Sequence, residues 1–296
     1  MKIILFSRPS SGKSTEPFGA LIESIEKRGF DYRMDSATAD WLESGAGIKV
    51  AEEHRYDSLC KELNNRNIVV ISYGGDGTLL SVVRAIGGRD IPVLGINSGR
   101  LGFLATVAAD QFGEALDALQ KGNYTIEKRT MLRIEGDIHG KAILPMAFNE
   151  FSVQRGGVGM IGIKVEIDSR TVANYWSDGA IVATPTGSTA YSLSAGGPIV
   201  APECNCMILT PIAPHNLTMR PIVIPDSSTV RLTIYAREPH AVVGIDNEHF
   251  QIDNGASFTI TRATEEVFLV RLQNISFYDT LKDKMMWGLD SRESKQ

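Results

Sequence analysis

The stretch Tyr73-Gly74-Gly75-Asp76-Gly77-Thr78-Leu79-Leu80 constrains the fold more than any other part of the chain. Before it, Asn67-Ile68-Val69-Val70-Ile71-Ser72 is a short apolar, β-branched run, the pattern of a buried parallel strand. After it, Leu79, Leu80, Val82, Val83 and Ile86 recur at helical spacing until Gly87-Gly88. The spacing predicts strand, glycine loop, helix. Three glycines permit a sharp turn and let a ligand approach bare backbone, and Thr78 is expected to cap a helix whose free N–H groups and dipole favour phosphate. Asp76 raises the stakes, because a carboxylate among groups arranged for phosphate repels the ligand unless it takes a proton from an attacking hydroxyl or acts through a cation. The competing role is an aspartate that only closes a polar turn.

Around this centre, Lys2 to Phe6 reads as a first strand and Phe18, Leu21, Ile22 and Ile25 as one face of a helix. Between them, Gly12-Lys13-Ser14 imitates the end of a Walker A loop, but the first glycine of that pattern falls on Ser7, so a solvated loop is expected. Asp40 to Gly47 reads as a polar connection, and Tyr56, Leu59 and Leu63 as a helix. Ile91 to Ile96 is another buried strand, running into Asn97-Ser98-Gly99-Arg100-Leu101-Gly102-Phe103-Leu104, and Gln111 to Leu119 is a helix stopped near Gly122. Strands alternating with helices imply a doubly wound, mostly parallel sheet, which binds ligands beyond the C-terminal ends of its strands.

From Tyr124 the texture changes to short alternating runs such as Ile161 to Ile167 and Val230 to Ile234, an all-β pattern. The expected organisation is an α/β domain over 1–123, a β-rich domain over 124–272, and a C-terminal helix and tail over 273–296 that return to the first domain. A length of 296 residues suits two domains, and a net charge of -5 argues against a nucleic-acid binder. The brief apolar N-terminus and the absence of an amphipathic or polybasic segment point to a cytoplasmic chain with no membrane partner. Cys60, Cys204 and Cys206 suggest neither a disulfide framework nor a zinc site, and the five histidines form no helical ligand cluster. Any metal is expected to be magnesium held partly by substrate phosphates, with no protein metal ligand assigned.

The second dense segment runs from Ser177-Asp178-Gly179 through Thr184-Pro185-Thr186-Gly187-Ser188-Thr189-Ala190-Tyr191-Ser192-Leu193-Ser194 to Gly196-Gly197-Pro198. A strand over Ala180 to Ala183 leads into hydroxyls and exposed amides, suited to a purine edge, a ribose or a phosphate, with a helix expected to start at Ser188 or Thr189. A Ser/Thr-rich turn with caps is the structural alternative.

Together, Gly74 to Thr78, Asn97 to Leu104, Asn149-Glu150, Asp178 to Pro198, and Pro211-Ile212-Ala213-Pro214-His215-Asn216-Leu217 with Arg220-Pro221 resemble the NAD kinase family in order and approximate spacing. The ending Trp287-Gly288-Leu289-Asp290-Ser291-Arg292 is similar too. The glycine loop is shared with diacylglycerol, sphingosine and phosphofructo kinases, whereas Thr184 to Pro198 is far more specific.

The resemblance implies phosphorylation of the adenosine ribose 2′-hydroxyl of NAD by ATP and Mg2+, giving NADP. It gives Asp76 the proton, Gly74, Gly75, Gly77 and Thr78 the phosphate-side loop, and Asn149 and Glu150 the ribose and adenine. Thr189, Ala190, Tyr191 and Ser194 are implied on the adenine side, within a substrate-binding segment that also includes Thr186, Ser188, Ser192 and Leu193. Asp178 is implied as acceptor for the nicotinamide amide and Phe103 as packing against the dinucleotide. Homodimers or homotetramers are implied as well. His215 reads as a structural hydrogen-bonding residue. Two positions depart from the family pattern: Trp176, where a basic residue is usual, and Asp246-Asn247-Glu248, in place of Asp-Gly-Gln. Outside this reading stand a lipid kinase with the same glycine loop and a catalytically silent NAD/NADP sensor.

Overall fold

The computed structural model describes residues 1–8, 15–63, 67–99, 102–136, 138, 146–236, 238, 240–272 and 276–287. The Walker-like Gly12-Lys13-Ser14, Arg100-Leu101 and Gly288 to Arg292 therefore lie outside the described residues. Two compact units divide the chain, Met1–Lys128 with Val267–Gln296, and Arg129–Glu266.

In the first unit, Ile68–Gly74 is buried along its whole length, with Lys2–Ser7 on one side and Pro92–Asn97 on the other, all parallel. Asp31–Asp35 and then Arg55–Tyr56 extend the sheet beyond Lys2–Ser7, and Phe268 and Leu269 pair with Pro92 and Val93 at the opposite edge. A strand covered on both faces needs apolar side chains on both, hence the unbroken Ile-Val-Val-Ile run. On one face Ile3, Leu5, Val69, Ile71, Leu94 and Ile96 meet Phe18, Leu21 and Ile25 from Glu16–Lys27 and Leu116 and Leu119 from Phe112–Lys121. Each such fully buried aliphatic side chain contributes about 1.5–3 kcal/mol. Asp76–Ile86 lies against Ile68–Gly74 and Pro92–Asn97 and ends at left-handed Gly87.

Two local expectations are corrected here. Ser36–Ala46 is a helix, not a connection: the Asp35 carboxylate caps it by accepting from the Thr38 amide at 3.0 Å, Ala39 and Leu42 are buried, and Gly47 closes it in the left-handed conformation. At Gly45 inside that helix a Cβ would lie 2.6 Å from Thr15 Cγ2, so the close approach of Thr15 calls for glycine there. Tyr56 belongs to the short edge strand Arg55–Tyr56, and only Leu59–Glu62 is helical.

The second unit is a sandwich of two antiparallel sheets. One carries Arg170–Ser177, Ile161–Ile167 and Val230–Ala236 with the start of Ser257–Leu272; the other orders Ile222–Pro225, Cys206–Ile212, Gly179–Ala183, Glu150–Arg155, His240–Ile245 and Glu248–Asp253. Their facing side chains, including Ile163, Val165, Leu232, Ile234 and Phe258 against Phe151, Val153, Val182, Leu209 and Val243, form one core. Residues of the opposite register, Ile181, Ala183 and Ile208, turn outward, and Tyr191, Ala195 and Val200 pack on them. That outer face positions the Thr184-to-Ser194 segment. Among the described residues no helix is long and apolar enough to cross a membrane.

Candidate active site

In the first unit, adjacent parallel strands end at Gly74 and Asn97, so both glycine loops leave the same edge of the sheet. The Ser98 amide donates to the Gly74 carbonyl at 3.1 Å. The following helix starts at Asp76 with Gly75 as its N-cap and no side-chain cap. Thr78 thus does not cap it: its buried side chain fills the space beside Gly74, where a Cβ would lie 2.3 Å from Thr78 Oγ1. At Gly75 and Gly77, by contrast, an added Cβ would meet nothing within 4 Å. The first turn therefore presents bare backbone to open space, as an anion requires.

The Asp76 carboxylate is tied down. Oδ1 accepts from the amides of Leu104 at 3.1 Å and Ala105 at 3.0 Å, and Oδ2 accepts from Phe103 at 2.9 Å. A Cβ at Gly102 would lie 1.9 Å from Oδ1, so only glycine lets the loop fold over the acid. A carboxylate has about four lone-pair positions. Both on Oδ1 are used, one on Oδ2 is used, and one on Oδ2 is left for a hydroxyl proton.

Near that oxygen stands Lys284, with Nζ 3.7 Å from Oδ2 and 4.5 Å from the centre of the Phe103 ring. It comes from the helix Phe277–Met285, whose capping box pairs Ser276 with Asp279 and whose Phe277 packs on Phe103 at 6.2 Å between ring centroids. Phe103 is 9% exposed, its ring taken up by Lys284 and Phe277. Sequence reading foresaw the helix but not its lysine; a basic residue in a last helical turn is too common to mark a site.

In the second unit, Asn149 and Glu150 sit where Glu150–Arg155 begins, both 7% exposed. Asp246, in the left-handed conformation at φ 51, accepts from the amides of Phe148 at 2.9 Å, Asn149 at 2.7 Å and Glu150 at 3.2 Å. Burial first, then the Asp246 charge, pushes the Glu150 carboxyl up to about 8, against an opposing hydrogen bond from the Tyr191 amide. At neutral pH Glu150 is chiefly a carboxylic acid, able to donate a hydrogen bond. Among the described residues, Asn149 Oδ1 and Glu150 Oε2 are buried without a hydrogen-bond partner. Unsatisfied buried atoms are costly in a finished fold, so these two are candidates for a ligand.

The Thr184-to-Ser194 segment locks onto the same strand end. Thr184 donates its hydroxyl to the Phe148 carbonyl at 2.7 Å and its amide to the Asn149 carbonyl at 2.9 Å. At Gly187 a Cβ would lie 2.1 Å from that Asn149 oxygen. Thr186–Thr189 forms a single 3-10 turn and Tyr191–Ser194 one helical turn, so regular helix begins later than Ser188 or Thr189. The buried hydroxyls are spoken for: Arg129 donates to Thr186 Oγ1, Ser188 exchanges bonds with the Val200 backbone, and Ser192 pairs with Thr210. Ser188 and Ser192 are 0% exposed, so these side chains shape the segment from within. Thr189, Ala190, Tyr191 and Leu193 are half-buried and Ser194 is exposed. The Tyr191 phenol is pushed up by burial, then by the Glu150 and Asp178 charges, which puts all three in one neighbourhood. Asp178 itself pairs with Arg155 at 3.0 Å.

Comparison with known proteins decides the family. A model of the ATP-NAD kinase N-terminal domain matches residues 15–124, and one of the C-terminal domain matches residues 148–272. The NAD kinase of Bacteroides fragilis is 38% identical over 293 residues, covering 99% of this chain and 100% of that protein. That of Flavobacterium psychrophilum is 39% identical over 295 residues, with 99% and 100% covered. The chain belongs to the NAD kinase family. It is therefore a phosphotransferase with an alcohol acceptor, and the lipid-kinase alternative finds no support. In fold it is similar to yeast NADH kinase complexed with NADH, at TM-score 0.87 and 23% identity over 98% of this chain and 89% of that one. It is also similar to an NAD kinase from Archaeoglobus fulgidus in complex with ATP, at TM-score 0.73 and 24% identity over 97% and 99%.

Both departures from the NAD kinase pattern now have a structural account. Trp176, 50% exposed, lies opposite Gly162 across the sheet, where a Cβ would approach its ring to 3.1 Å; the glycine makes room for the indole. Asp246 keeps the turn that anchors Asn149 and Glu150 although Asn247 and Glu248 follow it. The His215 backbone amide donates to the Trp176 carbonyl at 2.8 Å. Among the described residues no group of three or more His, Cys, Asp and Glu forms a metal cage.

Proposed function

We propose that the chain transfers the γ-phosphoryl group of ATP to the adenosine ribose 2′-hydroxyl of NAD, giving NADP and ADP. The observation that carries this is the Asp76 carboxylate, fixed by three amides with one position on Oδ2 left, beside a helix N-terminus of bare glycine backbone. The hydroxyl proton goes to Oδ2 as the hydroxyl oxygen attacks the γ-phosphorus, and the bond from phosphorus to the β-phosphate oxygen breaks with its electron pair on ADP. Gly75 and Gly77 offer their amides to the phosphates, and Thr78 keeps the turn in shape.

In the second unit, Asn149 Oδ1 accepts from the adenosine, Glu150 donates as a neutral acid, and Thr189, Ala190, Tyr191, Leu193 and Ser194 line the adenine side. Thr186, Ser188 and Ser192 support that wall from behind. Asp178, shared with Arg155, takes the nicotinamide amide, and Phe103 flanks the dinucleotide. Mg2+ would come in on phosphate oxygens and water, since among the described residues no group of three or more His, Cys, Asp and Glu is arranged to cage an ion. Such an ion offsets the charge on the donor phosphates. We further read the protein as a cytoplasmic homodimer or homotetramer on family resemblance, which light scattering on the purified protein tests.

The deciding assay measures NADP formed from NAD, ATP and Mg2+ with an NADP-specific dehydrogenase, for the parent and Asp76→Asn. Turnover in the parent and a loss of about 10²–10⁴-fold in the variant are expected. Near-normal turnover in Asp76→Asn would remove the base assignment, and NAD binding without product in the parent would return a binding-only sensor.

A further inference from the structure

An anionic donor must approach Asp76, whose own charge repels it. The structure supplies a counter-charge from the chain itself. Lys284 Nζ stands 3.7 Å from Asp76 Oδ2, beyond hydrogen-bond length but within charge contact, on the oxygen that keeps a free position. Phe103 serves both groups: its amide donates to Oδ2 at 2.9 Å and its ring lies under the ammonium at 4.5 Å. The helix bearing Lys284 is fixed at its start by the Ser276–Asp279 capping box and by Phe277 on Phe103, and Leu281 is buried at 4% exposure. Lys284 occupies the last turn, where a cation suits the helix dipole. Side-chain exposures of 35% for Lys284 and 29% for Asp76 make the pair a weak contributor to stability. Its value lies in the charge it places there.

We propose that Lys284 is a positioning and charge-compensating residue for phosphoryl transfer at Asp76, holding Oδ2 toward the hydroxyl and lowering the repulsion that the donor phosphates meet. This rests on Asp76 as proton acceptor in the reaction proposed above. Lys284 gives up no proton. As Oδ2 takes the hydroxyl proton, Asp76 becomes neutral and its hold on the ammonium falls, so the positive charge turns to the transferred phosphoryl group while ADP leaves with the bonding electron pair. The resting ion pair is thereby exchanged for one with the developing charge.

The test uses the full chain as parent, Lys284→Met, Lys284→Arg and Lys284→Ala, the last with and without ethylammonium. Lys284→Met is expected to lose about tenfold to a hundredfold in kcat/KM for ATP, with KM for NAD changed by less than about twofold. Lys284→Arg recovers most of the loss, ethylammonium restores Lys284→Ala saturably, and in Asp76→Asn the Lys284→Met change adds little further loss, since the two act as one unit. A Lys284→Met enzyme within about twofold of the parent overturns the proposal, as does a loss that neither arginine nor ethylammonium repairs. Calorimetric ADP affinity is measured alongside. Should the parent form no NADP, the proposed reaction fails on its own, while weaker ADP binding in Lys284→Met still upholds the counter-charge and unchanged binding removes it.

Discussion

Asp76 and Asp246 use the same device to opposite ends. Each carboxylate gathers the amides of three consecutive residues, Phe103 to Ala105 for Asp76 and Phe148 to Glu150 for Asp246, and so fixes a loop or strand end that no regular hydrogen-bond ladder would hold. What stands next to each differs. Beside Asp76 is a cation, Lys284, which tolerates the carboxylate's charge; beside Asp246 is a second acid, Glu150, which responds by keeping its proton. The same amide-binding motif thus stands beside a cation at one site and beside a protonated acid at the other, where burial first and the Asp246 charge second hold the Glu150 proton.

The largest test of that contrast is Asp76→Asn, with its expected loss of about 10²–10⁴-fold in turnover and a stability loss of about 1–3 kcal/mol, because the Asn side-chain NH2 cannot accept from the Phe103 amide that Oδ2 now holds. Asp246→Gly is next: it keeps the left-handed backbone but strips the acceptor from three amides, two of them on the buried Asn149 and Glu150. A loss of about 2–4 kcal/mol in denaturant unfolding is expected, with Asp246→Ala about 1 kcal/mol worse from backbone strain. Equal losses in the two variants would show that strain at φ 51 is unimportant.

Glu150 sharpens the comparison through pH. The folded protein binds its proton with a value near 8 against 4.5 for the free side chain, so this group's contribution to stability is complete below about pH 4.5 and is lost as pH rises toward 8. Glu150→Gln, always neutral, is expected to flatten the fall in melting temperature between those limits, and Asp246→Gly to shift it to lower pH by removing the second cause of the raised value. An unchanged slope in Glu150→Gln would assign the pH dependence to other groups. The smallest effect belongs to Ser276→Ala, which removes a helix cap at a cost of about 1 kcal/mol and loosens the helix that carries Lys284.

The parallel strands and the helices after Thr15, Gly75 and Gln111 were legible because burial on both faces or on one stripe writes itself into local periodicity. Ser36–Ala46 was not, since its inward face is little more than Ala39 and Leu42 and its glycine is explained only by Thr15 on another segment. Asp76, Asn149, Glu150 and Tyr191 stood out by motif. The role of Asp246 could not, because its partners lie 96 to 98 residues away and its neighbours Asn247 and Glu248 drew attention as departures. Lys284 was hidden for the same reason: its relation to Asp76 exists only in three dimensions.

The glycines of the first unit also forecast how this gene tolerates change. At 75 and 77 an alanine codon meets no atom of the protein within 4 Å, so a substitution there passes any screen for soluble, folded protein and is caught only by selection on the reaction. At 102 every non-glycine codon drives a methyl or more into an oxygen held by two amides, and is expected to be lost in both screens. A deep mutational scan read once for abundance and once for growth would therefore separate the residues that face the ligand from those that build the aspartate's seat.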